Sequence, residues 1–544
     1  MEKMGKKVEK KIGILLCKCE GKIADEIDLT QVVERLKKKY PLINTKIHNA
    51  LCKRPNEIST FIKNNNTTNV IIGACSKKQE LFEKIAAKTK MKPFCLKTVS
   101  LLQQCACINS SHVAIEKAEI ILLAEISRAK NFEGVPSENL DMTRVRPNRK
   151  MDRRSFLSFP YKSRLKIIPT IDMDLCQSGR GCNLCIEVCP RQAVSKLAHE
   201  ILIDNSQCEG CGICMVTCPV GAILFPTPAF SQIEEQIQIL VSVNPRFLKP
   251  RIILFMCTER AAVLEELSHK GLAFPPNILI VEVPCIGMIT PFLKLRTLML
   301  GAEAVAIVSC QKNCVKKYDY KKPKKNVRLS RELLKILDID PKRICIIDVC
   351  NNDPDDFHNK LDDFNENIMN LGSHNIKRKE PNNMKTIKNQ LLPFVKHLSE
   401  ESNIKKSSKV CNLLLPFWAI EIDSEKCSIC GSCAKHCPTN AISLEQEETQ
   451  VKLLFNYNLC IACGLCHKYC PENAITHENI FDLTRFYPPE SILIMSKIKK
   501  CVNCGTWLLP QKQIEMILSR ASIKSEKNSL SRSSYCPNCR LMAD

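Results

Sequence analysis

Glycine is scarce in this 544-residue sequence, with 17 in all. A dinucleotide-binding fold needs three of them in one G-x-G-x-x-G loop, where bare backbone approaches the pyrophosphate. No such loop occurs; the nearest string, GRGCNL, has Leu184 at the third glycine position. Long apolar runs are missing too. Nothing approaches 18 uninterrupted apolar residues, so no membrane span is expected. The charged start MEKMGKKVEKK leads only into IGILL, too short for a secretory signal. Acidic residues fall short, 57 against 80 Lys and Arg, a formal net charge of +23. That excess ordinarily raises nucleic-acid or anionic-surface binding. No helix-turn-helix pattern or aromatic RNA-binding signature accompanies it, and nucleic acid is not an expected partner. Nor can a nucleophile–base pair or substrate pocket be picked out, so no catalytic residue is assigned.

Cysteine is the residue in excess, at 34. Secreted disulfide scaffolds are short, whereas cysteine pairs in a long intracellular chain favour metal. The length suggests three to five domains. The expectation is a soluble, multidomain protein of a reducing cytoplasm.

Several apolar runs end on a thiol. RIILFMC ends at Cys257, ILIVEVPC at Cys285, AVAIVSC at Cys310 and RICIIDVC at Cys350, with Cys314 just beyond the third. Helical-period segments such as TERAAVLEELSHKG and NVRLSRELLKILDI lie between them. This alternation reads as a parallel sheet with crossover helices. Ligands sit outside the carboxyl ends of such strands, so the thiols would gather along that edge. Residues 12–130 repeat the pattern: IGILLC ends at Cys17 with Cys19 behind it, and NVIIGAC ends at Cys75. Cys52 and Cys105 complete that set, while Cys95 and Cys107 read as core or incidental thiols.

Four further segments carry the strongest signal. CEGCGICMVTCP sets Cys208, Cys211, Cys214 and Cys218 at C-x₂-C-x₂-C-x₃-C-P spacing. CSICGSCAKHCP (Cys427, Cys430, Cys433, Cys437) and CIACGLCHKYCP (Cys460, Cys463, Cys466, Cys470) repeat it. This is the bacterial ferredoxin run: three thiolates hold one cubane, and the fourth ligates the other cluster. CQSGRGCNLCIEVCP departs from the rule. Cys176 stands six positions before Cys182 instead of three, while Cys182, Cys185 and Cys189 keep their places. A Gly-containing turn can still let Cys176 reach a cluster; the alternative leaves it out, giving a three-iron or solvent-ligated site. By the crossover rule the quartets are Cys176–Cys182–Cys185–Cys218, Cys208–Cys211–Cys214–Cys189, Cys427–Cys430–Cys433–Cys470 and Cys460–Cys463–Cys466–Cys437. Four [4Fe–4S] clusters follow. At about −2 each with their thiolates, they remove roughly eight of the positive charges.

The pieces CKCEGKI, Cys52, GACSKK and QQC resemble, in that order, the N-terminal domain of the heterodisulfide reductase A subunit. The resemblance implies an iron–sulfur cluster, [4Fe–4S], with Cys17, Cys19, Cys52, Cys75 and Cys105 as candidates, one more than a cluster needs. In that family a flavin domain follows. Its loop is absent here, so no FAD is expected, and electron bifurcation on a flavin would not occur on this chain alone.

Residues 251–352 resemble the delta subunit of methyl-viologen-reducing hydrogenase, through FMCTER, FPPNILIVEVPCIGMITP and LGAEAVAIVSCQKNC. That family holds a [2Fe–2S] cluster and links a hydrogenase to heterodisulfide reductase. The resemblance implies Cys257, Cys285, Cys310 and Cys314 as ligands. The chain departs from the family at Met256 and Arg260, where further thiols stand, and at Met288, where an arginine stands. The alternative is a domain kept only for docking.

CVNCG and CPNCR (Cys501, Cys504, Cys536, Cys539) form a Cys₄ set of zinc-ribbon type, which iron would also suit. The expected organisation is a multidomain α/β plus α+β chain. Two parallel-sheet α/β domains with Cys at strand ends (1–130 and 251–352) accompany two bacterial-type ferredoxin domains (166–228 and 406–484). A basic linker (131–165), a polar linker (353–405) and a Cys₄ ribbon tail (485–544) complete it. The function expected is an iron–sulfur electron-transfer subunit of a heterodisulfide reductase, hydrogenase or formate dehydrogenase complex, with catalysis on a partner chain. An iron–sulfur redox sensor or assembly scaffold is the alternative.

Overall fold

The computed structural model describes residues 11–75, 79–89, 91–106, 111–130, 132, 134–135, 140–145, 162–225, 227, 230–242, 248–260, 262–272, 274–309, 314, 321–336, 339–349, 353–374, 409–411, 418–486, 490–520 and 535–540. They form two compact units. The first takes the described residues of Met1–Asp174, Cys185–Ser195 and Leu202–Gln390; the second takes those of Leu175–Leu184, Lys196–Ile201 and Leu391–Asp544.

The first unit begins with a parallel sheet of β1 (Ile12–Cys17), β2 (Asn44–His48), β3 (Asn69–Ala74) and β4 (Leu96–Ser100), in spatial order β2-β1-β3-β4. Every residue of β1 and β3 is buried, as expected of parallel strands covered on both faces. Helices α1 (Leu29–Lys39), α2 (Asn56–Asn65), α3 (Gln79–Ala87) and α4 (Ser111–Lys130) cover it. Asp28 starts α1 by accepting from the N–H groups of Thr30 and Gln31 at 2.9 and 3.2 Å, leaving fewer orphan donors in the first turn. Ile58, Phe61 and Phe82 from α2 and α3 pack on Leu15, Cys17 and Ile72.

An antiparallel pair follows, β5 (Leu140–Val145) with β6 (Lys162–Ile167). The segment expected as a bare linker over 131–165 thus carries a strand that pairs across the ferredoxin boundary. The first ferredoxin region adds β7 (Thr170–Ile171), β8 (Val194–Leu197), β9 (Glu200–Ile203), the short helix α5 (Ile213–Thr217) and β10 (Ile223–Leu224), with β10 antiparallel to β7. Helix α6 (Phe230–Ser242) then packs on α4, and Gln236 Nε2 donates to Glu125 Oε1 at 3.1 Å.

A second parallel sheet comprises β11 (Ile252–Cys257), β12 (Ile278–Val283), β13 (Ala304–Val308) and β14 (Ile344–Ile347), in order β12-β11-β13-β14. It repeats the order of the first. Helices α7 (Ala262–Lys270), α8 (Pro291–Met299) and α9 (Lys322–Ile336) accompany it. So does α10 (Pro354–Leu371), where the sequence reading placed a polar linker. Phe357, Leu361, Phe364 and Ile368 recur at helical spacing and are buried against Leu254, Met256 and Ile280. Asp and Asn fill the outer face of α10, and that polar majority hid an apolar stripe of period 3.6.

The second unit contains two antiparallel sheets. One has order β15-β19-β16, from β15 (Lys409–Cys411), β16 (Trp418–Ile422) and β19 (Ile475–Asp482); the other runs β17-β18-β20, from β17 (Ile442–Gln446), β18 (Gln450–Asn456) and β20 (Glu490–Lys497). Strand β20 lies beyond the expected ferredoxin boundary at 484, yet pairs with β18 along its length. Helix α11 (Gln511–Arg520) packs back on β20. Among the described residues no helix is long and apolar enough to cross a membrane.

Candidate metal centres

Each ferredoxin run folds the same way because each needs the left-handed region at fixed places. The second residue after the first cysteine has positive φ in three runs: Gly210 (+57°), Ile429 (+55°) and Ala462 (+54°). The glycine after the second cysteine does too, at Gly212, Gly431 and Gly464 (φ +73° to +75°). These reversals curl the chain so that its N–H groups face sulfur. Ile429 N and Ala462 N each stand 3.5 Å from the Sγ of Cys427 and Cys460.

The cysteine before proline has its own turn. Four residues on, an alanine N–H donates to its sulfur: Ala193 to Cys189 at 3.3 Å, Ala222 to Cys218 at 3.2 Å, Ala441 to Cys437 at 3.1 Å and Ala474 to Cys470 at 3.3 Å. The residue before each alanine, Gln192, Gly221, Asn440 or Asn473, has positive φ. The sequence reading stopped at the proline and missed these donors. Their signal was present as C-P-x-x-A in all four runs.

Three of the crossover quartets line a cavity each. Cys437, Cys460, Cys463 and Cys466 surround one of about 320 Å³, and Cys427, Cys430, Cys433 and Cys470 another of the same size. Cys189, Cys208, Cys211 and Cys214 surround one of about 390 Å³. Burial, then neighbouring thiols, push Cys433 and Cys466 up to about 12. Four crowded thiolates need a cationic core between them, which an iron–sulfur cluster supplies. The donor set and the space fit such a group.

Of the fourth quartet, Cys185 and Cys218 belong to the first unit, and Cys176 and Cys182 to the second. Here Gly181 (φ +99°) gives the reversal just ahead of Cys182, as Gly210 does ahead of Cys211, but Asn183 behind Cys182 lacks the second one. Within the second unit the inserted turn Ser178–Arg180 lies against the second ferredoxin domain. Arg180 Nη1 donates to Pro438 O at 3.4 Å, and Leu465 blocks the space a side chain at Gly181 would take.

In the N-terminal sheet, Cys17 ends β1 and its Sγ lies 3.9 Å from that of Cys19. Cys19 also hydrogen-bonds Cys75, just past β3, and is pushed up by both thiols, whereas the Cys19 hydrogen bond holds Cys17 down. Leu51 N donates to Cys17 Sγ at 3.4 Å, drawing in the loop that bears Cys52. Cys105 is fully buried in the turn Leu102–Ala106. Cys95 is buried with Phe132, Val135 and Phe225.

In the second parallel sheet, Cys257 ends β11 and Cys285 follows β12 on the neighbouring strand, both buried. Gly287 N donates to Cys285 Sγ at 3.4 Å. Cys314 is half-buried; Cys310 lies outside the described residues, as do Cys107 and Cys350. Cys345 is a strand residue of β14, pushed up to about 12 by burial. Arg260 is 7% exposed and donates through Nε to Ser309 O and through Nη2 to Val349 O, at 3.3 and 3.4 Å. Met288, also buried, packs on Gly212 of the ferredoxin run: a Cβ there would stand 2.7 Å from its Sδ. The loop bearing Cys285 therefore touches the turn between Cys211 and Cys214. In the tail, the Sγ atoms of Cys501, Cys504, Cys536 and Cys539 all lie within 4.8 Å of one another.

These geometries agree with the family comparisons. Residues 252–372 match the family model of the methyl-viologen-reducing hydrogenase delta subunit. Residues 201–224, 420–443 and 453–476 each match that of the 4Fe-4S binding domain. The chain joins a delta-subunit-like region to three 4Fe-4S binding segments. The matched delta region runs to 372, so it takes in α10. The departing run Cys176–Cys189 lies outside the matched ferredoxin segments.

The chain is also similar to the first iron–sulfur A subunit of the CoB–CoM heterodisulfide reductase of Methanopyrus kandleri, 26% identical over 145 residues, 26% of this chain and 22% of that protein. It resembles the A subunit of the ferredoxin:CoB-CoM heterodisulfide reductase of Methanosarcina mazei at 26% over 204 residues, 37% of this chain and 25% of that one. The iron–sulfur D subunit of the F420-non-reducing hydrogenase of Archaeoglobus profundus is 27% identical over 123 residues, 22% of this chain and 88% of that protein. The chain thus spans about a quarter of the length of the heterodisulfide reductase relatives it matches.

Proposed function

We propose that the chain is an electron-transfer subunit of a heterodisulfide reductase/hydrogenase-type complex, with the catalytic site on a partner chain. The observation that carries this reading is the repeated quartet: four thiols around one cavity, with backbone N–H groups aimed at their sulfurs. Each cluster, when bound, takes up one electron and passes it on.

The four crossover quartets would hold [4Fe–4S] groups. Four of Cys17, Cys19, Cys52, Cys75 and Cys105 would hold a fifth. Cys257, Cys285, Cys310 and Cys314 would hold a [2Fe–2S] group. Backbone amides such as those of Ala193, Ala441 and Ala474 favour the more negative, reduced state, because each donates to a ligand sulfur. Met288 on Gly212 gives the middle domain a packed route to the first ferredoxin domain. The donor would be a hydrogenase, a formate dehydrogenase or a reduced ferredoxin.

Iron and acid-labile sulfide on anaerobically purified protein, with an EPR-monitored redox titration, test this. About 22 iron per chain, sixteen of them in centres near −400 mV, are expected. Sixteen alone would strip the two α/β domains of their role in the relay. Fewer than about twelve would sink the relay itself, since fewer than three cubanes would then be filled.

A further inference from the structure

We propose that Cys501, Cys504, Cys536 and Cys539 bind one zinc ion, and that this site closes the tail without carrying electrons. A tetrahedral Zn–S₄ site with bonds of 2.3 Å places its sulfurs about 3.8 Å apart. The four Sγ atoms lie within 4.8 Å of one another, and Cys504 Sγ is 3.5 Å from Cys536 Sγ. Among the described residues this is the one set of metal-ligating side chains drawn together so tightly. Among the described residues the ferredoxin quartets do not show such a grouping. The tail is built for a single ion, not a cubane.

The surroundings are those of a thiolate site. Cys536 N donates to Cys501 Sγ at 3.3 Å, and Asn503 Nδ2 stands 3.5 Å from Cys539 Sγ. Such donors offset the −2 charge that four thiolates leave on a divalent ion. The knuckle is held by Cys501 N to Thr506 O at 2.7 Å and by Gly505 N to Cys501 O at 2.9 Å. Gly505 takes φ +69°. Among the described residues the apolar cluster here consists of three of the cysteines with Leu508 and Tyr535. Metal ligation would add folding energy that ties residues 535–540 to the knuckle. Zinc is favoured over iron because Zn²⁺ stands above Fe²⁺ in affinity at such sites. Cys504 is also exposed, where a redox-inert ion protects the thiolate from oxidation.

The test uses the full chain, expressed with both metals supplied, beside the double variant Cys504→Ser/Cys539→Ser. About one zinc per chain is expected in the parent, falling at least fivefold in the variant. Iron, sulfide and the EPR of the reduced clusters should stay unchanged, and proteolysis in the tail should quicken at least tenfold. Substituting cobalt for zinc should give the intense visible bands of a tetrahedral thiolate site, absent from the variant. Two results would overturn the proposal. One is a parent without zinc whose iron drops by about one in the variant, which means a mononuclear iron centre. The other is zinc unaffected by the double substitution.

Discussion

The two parallel sheets share one spatial order, with the first strand between the second and third. That order puts the topological switch point between β1 and β3 in one domain and between β11 and β13 in the other, where ligands bind at the strand ends. Thiols occupy matching places: Cys17 and Cys257 on the first strand, Cys52 and Cys285 after the second. The edges are nonetheless finished differently. In the N-terminal sheet Cys19 meets both Cys17 and Cys75. In the second, a buried guanidinium ties the segments just past the third and fourth strands through Ser309 O and Val349 O. One sheet edge is closed by sulfur and the other partly by arginine, so the first should depend more on the cluster proposed for it.

The largest break in this comparison comes from removing one thiol at each edge. Cys19→Ser should cost the N-terminal domain its whole cluster, about four iron per chain, and open the strand ends of β1 and β3 to hydrogen exchange. Cys285→Ser should cost about two iron, with little change in exchange at β13 and β14, because Arg260 still holds them. Equal loss of protection in both sheets would erase the distinction.

Next in size is a test of what supports each sheet. Phe357→Ala empties a fully buried position of α10, and Phe82→Ala one of α3 that is 1% exposed. Each should destabilise its own sheet by about 3–5 kcal/mol, read as faster proteolysis of that domain alone. If Phe357→Ala leaves the second sheet as resistant as before, α10 is not part of it.

How much of this was legible depended on the kind of signal. Continuous apolar runs such as IGILLC and RIILFMC announced buried parallel strands, and the cysteine spacings announced ferredoxin turns. Helix α10 went unread because its buried Phe357, Leu361, Phe364 and Ile368 are diluted by Asp and Asn. Strand β20 went unread because pairing with β18 is long-range and leaves no local mark. Arg260 was seen as a missing thiol; only the folded edge shows two carbonyls within its reach. The contact of Met288 with Gly212 likewise needed the third dimension, since 75 intervening residues separate them.

The smallest effect concerns a device both domains share, a buried lysine. Lys117 of α4 donates to Pro275 O at 3.2 Å and lies 4.7 Å from the Phe274 ring centroid. Lys294 of α8 donates to Ile289 O at 3.2 Å and is 1% exposed. Burial pulls Lys117 down to about 8 and Lys294 to about 7. Between pH 7 and the unfolded value near 10.4, the unfolded chain binds the proton that folded Lys294 has lost, so stability rises with pH across that window. Below pH 7 both states are charged, and the folded state carries the full cost of the buried cation. Lys294→Met removes that cost together with one hydrogen bond worth about 1 kcal/mol. The variant should therefore be more stable than the parent near pH 7, by on the order of 2 kcal/mol, with the gap closing toward pH 10. Thermal unfolding of the two proteins across that range measures it. A gap that does not narrow as the pH rises would mean that burial does not lower the Lys294 pKa and that its ammonium keeps its proton in the folded state.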